Sequence, residues 1–579
     1  MSRLVRFLFD FRVVLTCVIV GMIAIAVAER NLATLPMAYF IACSVISLLA
    51  LLTARPITSI YFGFALLGTI AFISYIKMKW MSLAPNIIDI YYFVLNAGTL
   101  SFLMDSFLPY IIATALLLAS SLFILLFVGY FEKGKAGIRR WSLAVFLVSL
   151  SLTVWSQPKQ FDGIGELMRY RYVTSVFRSL HYLPHLNDPV PLLDRLATTT
   201  KTENVPEKVA EVSACETHST RPDLIVVQSE SVVPPAIFHD KGSPDVLDKA
   251  FGGDDGILRP LQVETFSGGT WVTTAGFATS LVISELEWLK SYSNFLLEGR
   301  IDFSLAQRLS DCGYHTVYLS PLPYSFVNEG NFIQSIGFEA FLDQQDMGAA
   351  TNHETDAFYY QAALDYLAEH HQTDDRPVFM VILTMSAHSP WDYRLYPDRH
   401  IEGEPFDENP DVNEYIRRLA ISRTDLAEFQ EQLEEGPDAR PTVLLDFGDH
   451  QPGLTLPYWQ TREGETPLAN SESGAYLTYF QFLSAGTELS NSAPVFEKLD
   501  VQYLAPTLME VAGLPLGRVY EDLSAMRDIC DGRFKTCPVP GRIEAHYRCR
   551  FNDVQCTSRR TDTDRNSETV AIPGSGNRL

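Results

Sequence analysis

The chain has 579 residues, 47% of them apolar and 20% charged, with 45 basic against 68 acidic side chains for a formal net charge of −23. That length exceeds one ordinary domain, and the acidic balance excludes a nucleic-acid partner gripped by a basic surface. Charge is also unevenly spread: residues 1–155 hold 11 basic and 5 acidic side chains, leaving 34 and 63 beyond them. An apolar part is therefore followed by an acidic, solvated one.

In chain order, apolar runs near 13–28, 37–54, 57–76, 110–130 and 141–155 each approach the roughly 20 residues a helix needs to cross a bilayer. Basic loops stay on the cytoplasmic side, and here one set of loops carries Arg3, Arg6, Arg12, Arg55, Lys133, Lys135, Arg139 and Arg140, against Arg30, Lys77 and Lys79 on the other. Five crossings with the N-terminus inside deliver everything after Trp155 to the outer side. No cleavage pattern marks the first run, so it reads as a retained anchor. Residues 80–108, with Pro85, Asp89 and several aromatics, read as an interfacial loop on the outer face.

A mixed apolar and basic stretch at 161–183 predicts a juxtamembrane helix, and the polar stretch 198–221 a linker. Four short β-type runs follow, at 224–228, 316–319, 378–384 and 442–446, with helical patterns between them at 302–311, 356–370 and 412–435. Strands alternating with helices predict an α/β domain with a mostly parallel sheet. The expected organisation is thus a transmembrane domain at 1–155, a juxtamembrane helix and linker at 156–221, a catalytic domain at 222–525, and an appendix at 526–579 ending in a disordered tail. Cys17 and Cys43 fall in membrane runs, whereas Cys215, Cys312, Cys530, Cys537, Cys549 and Cys556 fall outside them. Six cysteines in an oxidising compartment suggest disulfides whose connectivity the sequence leaves open. A zinc knuckle would want a C-x₂-C pair, and the last four cysteines have none.

In an α/β sheet the residues just beyond the strands' carboxyl ends gather ligands. Here those residues are Glu230 and Ser231 after the first strand, Ser386-Ala387-His388 after the third, and Gly448-Asp449-His450 after the fourth. Two carboxylates, an imidazole and a hydroxyl oxygen make a shell for a divalent ion such as Mn²⁺ or Zn²⁺. The stretch Ser267-Gly268-Gly269-Thr270-Trp271 can supply that hydroxyl from Thr270, with glycines that let backbone approach a phosphate. Thr270 would then be a nucleophile that accepts a group and passes it on.

This ordered set resembles the alkaline phosphatase superfamily, and within it the branch of lipoteichoic acid synthases and periplasmic-glucan phosphoglycerol transferases. The resemblance rests on the membrane helices, Glu230-Ser231, Gly268-Gly269-Thr270, Thr384-Met385-Ser386-Ala387-His388, Gly448-Asp449-His450, and Phe326-Val327-Asn328 with the later run Ile336 to Asp343. It implies that Glu230, Thr270, Asp449 and His450 hold the metal, Mn²⁺ first and Zn²⁺ or Mg²⁺ as alternatives. It further implies that Thr270 is the nucleophile and that His388 binds or protonates the substrate, with Asn328 and Trp271 beside it. The implied partners are a membrane phospholipid donor and a glycan acceptor, and the implied location is a bacterial inner membrane with the catalytic domain on the periplasmic side. Two places depart from the family pattern: Leu319-Ser320 and Glu329 stand where a histidine and an arginine help to hold the headgroup. A phosphoethanolamine transferase acting on a glycan or lipid A, a hydrolase of the same superfamily, and a membrane scaffold or sensor with a dead enzyme-like domain are the other readings. A sulfatase would need a Cys or Ser followed by x-Pro-x-Arg at the nucleophile, which Thr270 lacks.

Overall fold

The computed structural model describes residues 3–29, 32–81, 85–90, 92, 97–156, 173–180, 190–199, 215, 221–247, 249–351, 354–436, 439–464 and 466–551. Among the described residues, five helices are long and apolar enough to cross a membrane: Phe11–Glu29, Leu35–Thr53, Pro56–Met78, Phe107–Phe131 and Gly137–Trp155. They coincide with the five apolar runs. The fourth belongs to a longer helix, Ala97–Phe131, which departs from helical geometry at Phe107, two residues before Pro109, because proline cannot donate to the preceding turn. Two carboxylates at the ends of these helices are buried yet satisfied. Glu29 accepts the N–H groups of Val173 and Thr174 at 2.9 and 3.0 Å, and Glu132 accepts those of Ile57 and Thr58 at 3.0 and 2.7 Å. Each caps the free amides of a helix N-terminus, so the helix Val173–Ser179 is tied to the end of the first membrane helix. Most of the 161–183 and 198–221 stretches lies outside the described residues.

The second part is built on one sheet of eight strands: β1 Asp223–Ser229, β2 Arg259–Gln262, β3 His315–Leu319, β4 Ala340–Leu342, β5 Val378–Leu383, β6 Thr442–Gly448, β7 Leu477–Ala485 and β8 Leu499–Asp500. Their order is β4-β3-β5-β1-β6-β7-β2-β8. The first five positions are mutually parallel, while β7 runs antiparallel to both β6 and β2. The sheet is therefore mixed, with its parallel half carrying the four strands read from the sequence. Every residue of β1, β5 and β6 is buried, as expected for central strands covered on both faces. Helices Asp356–Thr373 and Pro410–Glu435 cover one face, where Tyr360 and Phe429 stack with ring centroids 4.5 Å apart.

Beneath the sheet ends, Arg423 binds Asp446 at 2.6 Å, and Asp446 also accepts the Tyr479 hydroxyl and the Gln481 amide. This satisfied network links the Pro410–Glu435 helix, β6 and β7, and it fixes the strand from which Asp449 and His450 emerge. Among the described residues, disulfides join Cys215 to Cys312, across 97 residues that include β1 and β2, and Cys530 to Cys537.

Candidate active site and metal centre

Each functional side chain is delivered by a local feature of the chain. Strand β1 ends at Ser229, and the backbone turns sharply at Ser231, with φ +57°, so the Glu230 side chain leaves the sheet at its carboxyl edge. Strand β6 ends at Gly448, where any β-carbon would collide with the Val232 carbonyl oxygen. Glycine there lets β6 pass close to the β1 turn, and Asp449 and His450 follow directly. Thr270 is the first residue of the helix Thr270–Thr279, and the residue before it, Gly269, sits at φ +82°. A left-handed residue at that point is natural to glycine, and it turns Thr270 toward the other two segments.

The three segments meet. Thr270 Oγ1 donates to Glu230 Oε2 at 2.5 Å and lies 3.5 Å from His450 Nε2. His450 Nε2 is 3.3 Å from Glu230 Oε1 and 3.4 Å from Asp449 Oδ2. Glu230, Asp449 and His450 are all buried, and one ligand atom from each lies within 4.8 Å of the others. The His450 Nδ1–H donates to the Gln451 carbonyl at 3.1 Å, which leaves Nε2 free to act as a ligand. That carbonyl also accepts the Ser267 N–H at 2.9 Å, joining the loop before Thr270 to the histidine. Asp449 Oδ1 takes the Ser231 N–H at 2.8 Å, yet its buried Oδ2 has no hydrogen-bond partner.

Electrostatics agree with that geometry. Burial pushes the Asp449 carboxyl well up, and the charge of Glu230 pushes it the same way. Burial opposes ionisation of Glu230 as well, but the adjacent His450 wins and holds it below the usual carboxylate range. Burial works against a charged His450, and the two carboxylates overcome it, raising the imidazole to about 9. The cluster therefore gathers protons where it lacks a cation. An orphaned carboxylate oxygen, a second carboxylate, an imidazole with its other nitrogen already tied down, and a hydroxyl all fit a divalent ion. Glu230, Thr270, Asp449 and His450 would hold it, and it would supply positive charge to a developing alkoxide and to phosphate oxygens.

His388 follows β5 near the same rim, since Thr384, just past that strand, accepts the Glu230 N–H at 3.3 Å; the His388 carbonyl is held by Arg418 at 2.8 Å. Trp271 is buried, donates its indole N–H to Ser291 O at 3.1 Å, and packs edge-on against Phe326 at 6.0 Å. The Asn328 side-chain amide donates to Glu298 at 2.7 Å and accepts from Asn331 at 2.9 Å. Three supporting residues escaped the sequence reading. Thr273 donates to the Asp449 carbonyl at 2.7 Å, Thr274 to the Thr270 carbonyl at 3.1 Å, and the Gln451 amide to two β7-side carbonyls at 2.7 and 2.6 Å. The first two lie one turn beyond Thr270, and the third follows His450, so proximity to the motifs was the available signal.

Comparison with known proteins bears on the part of the chain that carries β3 to β8. The family profile described as Sulfatase matches residues 274–514, a span that contains His388, Asp449 and His450 but begins after Glu230 and Thr270. An uncharacterized protein of Haemophilus influenzae is 24% identical over 355 residues, covering 58% of this chain and 62% of the relative. A putative cyclic beta-1,2-glucan modification protein of Rhizobium meliloti is 26% identical over 276 residues, covering 44% of this chain and 39% of the relative. The matches thus span less than two thirds of either relative. Among solved structures, the Streptococcus pyogenes phosphoglycerol transferase GacH, in complex with sn-glycerol-1-phosphate, has a TM-score of 0.43 at 19% identity, covering 61% of this chain and 90% of that one. Behind the five apolar helices, residues 274–514 are thus similar to the family described as Sulfatase.

Proposed function

We propose that this protein is a membrane-anchored, metal-dependent phosphotransferase. It moves a phosphoglycerol headgroup from phosphatidylglycerol to a glycan on the outer side of the cytoplasmic membrane, through a phosphothreonine at Thr270. The observation that carries the reading is the Thr270 hydroxyl, held at 2.5 Å by Glu230 at the mouth of the Glu230, Asp449 and His450 cluster. That hydroxyl begins a ten-residue helix, whose free N–H groups and dipole favour an anionic phosphate. In the first step Thr270 Oγ1 sheds its proton toward Glu230 and forms a bond to phosphorus, while the bond to the diacylglycerol oxygen breaks and His388 protonates the leaving group. In the second, an acceptor hydroxyl loses its proton to His388 and bonds to phosphorus while the bond from phosphorus to Thr270 Oγ1 breaks, and Thr270 takes its proton back from Glu230.

The asymmetry of basic residues in the loops supports an outer catalytic domain. The name of the Rhizobium meliloti relative supports a glucan as the acceptor. The membrane helices keep the site beside a donor that is itself confined to the bilayer.

The test is intact-mass analysis of the full-length protein after incubation with Mn²⁺ and vesicles of phosphatidylglycerol or phosphatidylethanolamine. A glycerophosphoryl adduct is expected, absent in Thr270→Ala and after chelation of the metal. A phosphoethanolamine adduct would assign that transferase activity instead. Release of diacylglycerol with no glycan product, under conditions where a glucan is supplied, would assign a hydrolase. Neither adduct nor diacylglycerol would leave the scaffold reading.

A further inference from the structure

The cysteine-bearing appendix after residue 526 supplies none of the chemical groups invoked so far, yet it reaches the loop that delivers Thr270. Lys535 lies in the loop closed by the Cys530–Cys537 disulfide. That loop is docked on β8: the Asp500 N–H donates to the Gly532 carbonyl at 2.9 Å, and the Asp500 carboxylate takes the Phe534 N–H at 2.7 Å. The Phe534 ring lies 5.6 Å from that of Tyr503. Strand β8 pairs with β2, where Asp500 stands opposite Gln262. Glu264 comes two residues after Gln262, and Lys535 Nζ meets its carboxylate at 2.6 Å.

Glu264 stands at the start of the stretch 263–269, which leads from β2 to Thr270. It is 7% exposed and is held on several sides. Its carboxylate accepts the Ile283 N–H and the Ser284 hydroxyl, both at 2.7 Å, and its carbonyl takes Lys290 Nζ at 2.8 Å. Further along, the Thr265 hydroxyl donates to the Gly268 carbonyl, and the Ser267 N–H to the Gln451 carbonyl at 2.9 Å. Gly269 follows in its left-handed conformation. A chain pinned at this many points passes a shift at Glu264 on to Thr270. A buried carboxylate anchors well only while it is charged and paired. Burial opposes the charge of Glu264, but Lys535, ahead of any other group, outweighs it and holds the carboxyl below its ordinary range. Lys290 is the weaker source of positive charge: burial lowers it, Glu264 restores it only in part, and the like charge of Lys535 lowers it again, to about 7.

We propose that Lys535 is a positioning residue for the reaction at Thr270: from the disulfide-closed loop of the appendix it anchors Glu264 and thereby sets the Thr270 hydroxyl against Glu230. The proposal rests on the phosphotransfer reading above. Lys535 acts through Glu264 and the 263–269 stretch, not on the substrate.

The experiment compares full-length wild type, Lys535→Met, Lys535→Arg and Tyr547→Phe, each with Mn²⁺ and phosphatidylglycerol vesicles. It reads the rate of Thr270 adduct formation against lipid concentration, Mn²⁺ binding, and amide hydrogen exchange across residues 263–274. Because misplacing a reacting group by about 1 Å costs on the order of 10²-fold, Lys535→Met is expected to lower kcat about tenfold with KM within about twofold of wild type. Exchange across 263–274 should rise, and Mn²⁺ binding should stay as in wild type. Lys535→Arg restores the charged donor and is expected to bring kcat back to within about threefold. Tyr547→Phe removes another tie of the appendix, the Tyr547 hydroxyl to Glu285 at 2.5 Å, and leaves Lys535 on Glu264. Its kcat is expected to stay within about twofold of wild type. An unchanged kcat in Lys535→Met overturns the proposal, as do equal losses in Lys535→Met and Tyr547→Phe, which would make Lys535 merely one support of the appendix. Failure of arginine to recover any of the loss overturns it too. If Lys535→Met does not fold, Glu264→Gln, which keeps the side chain's shape and removes the charge that Lys535 meets, is expected to give the same fall in kcat at steady KM, and an unchanged kcat there overturns the proposal. Adducts in wild type with no effect of these variants remove only the role of Lys535. No adduct in wild type from phosphatidylglycerol or phosphatidylethanolamine removes the phosphotransfer reading and this proposal with it.

Discussion

Glu329 is buried, its two oxygens met by the Ser320 hydroxyl at 2.9 Å and the Tyr318 hydroxyl at 3.3 Å, and this has a consequence for stability that no lipid is needed to observe. In the folded protein its carboxyl, pushed up by burial and by Glu230, keeps a proton to about pH 7, whereas in the unfolded chain it releases the proton near the ordinary value of 4.5. Between those values the folded state binds more protons, so the stability this group contributes is whole below about 4.5 and is lost as pH rises through 7. Glu329→Gln has no such proton to lose. Its stability relative to wild type is expected to climb across that window by at most about 3 kcal/mol and to be flat below it. Thermal melts of both metal-loaded proteins from pH 4 to pH 8 read this directly, and a flat difference would mean the carboxyl is not strained. At this scale the sequence was most informative where chemistry and strand ends coincide. Glu230, Asp449 and His450 each stand one or two residues past a buried apolar run, and the structure brings them together with Thr270. Ser320 and Glu329 could be noticed only as departures, because their significance lies in which partners are missing, and a sequence does not display missing partners.

Among the elements, the helix Thr270–Thr279 carries the most functional weight, and its entry is narrow. Gly269 holds φ +82°, and a β-carbon added there would lie 2.8 Å from Thr265 Oγ1. Gly269→Ala must therefore either strain the backbone or push the Thr265 side chain aside, at a cost of about 1–2 kcal/mol. Because Thr270 follows immediately, its hydroxyl shifts with the turn, and misplacement of about 1 Å in a reacting group costs on the order of 10²-fold. The expected outcome is a protein that melts slightly earlier and forms its Thr270 adduct at least tenfold more slowly, with metal content close to wild type because Glu230, Asp449 and His450 are untouched. Loss of metal in step with activity would instead make Thr270 a dominant ligand. The four parallel strands were legible as continuous apolar runs because central strands bury both faces. Strand β7 was not, although Leu477–Ala485 is mostly buried. Its run LTYFQFLSA is interrupted by Thr478, Gln481 and Ser484, whose polar groups bond Gly448, Asp446 and Asp254. The residues that dock β7 are thus the ones that hide it from a hydropathy pattern.

For the whole molecule, the question is how the proposed site, built on a sheet, would meet a phosphate at a bilayer surface. The apolar helices and the acidic part were legible as separate pieces, but their contact was not, since it depends on single side chains far apart in the chain. Asp89, in the segment after the third membrane helix, accepts Lys77 Nζ at 2.7 Å and the Tyr292 hydroxyl at 2.7 Å. Tyr92 stacks on Tyr292 at 4.9 Å and meets Phe295 at 5.1 Å. Next to Tyr292, the Ser291 carbonyl takes the Trp271 indole N–H at 3.1 Å, and Trp271 adjoins Thr270. A carboxylate of the membrane part is thereby linked through two side chains to Thr270. Tyr292→Phe removes one hydrogen bond, worth about 1 kcal/mol, and leaves the Lys77 to Asp89 ion pair and all the metal-cluster residues in place. Turnover of phosphatidylglycerol embedded in vesicles is therefore expected to fall about three- to tenfold. Turnover of a short glycerophosphodiester dissolved in water should stay within about twofold of wild type, because the chemistry itself is unchanged. Equal losses on both substrates would mean that Tyr292 supports the fold of the nucleophile region and not its placement. If neither rate changed, the stacked rings of Tyr92, Tyr292 and Phe295 would be holding the two parts together without the hydroxyl.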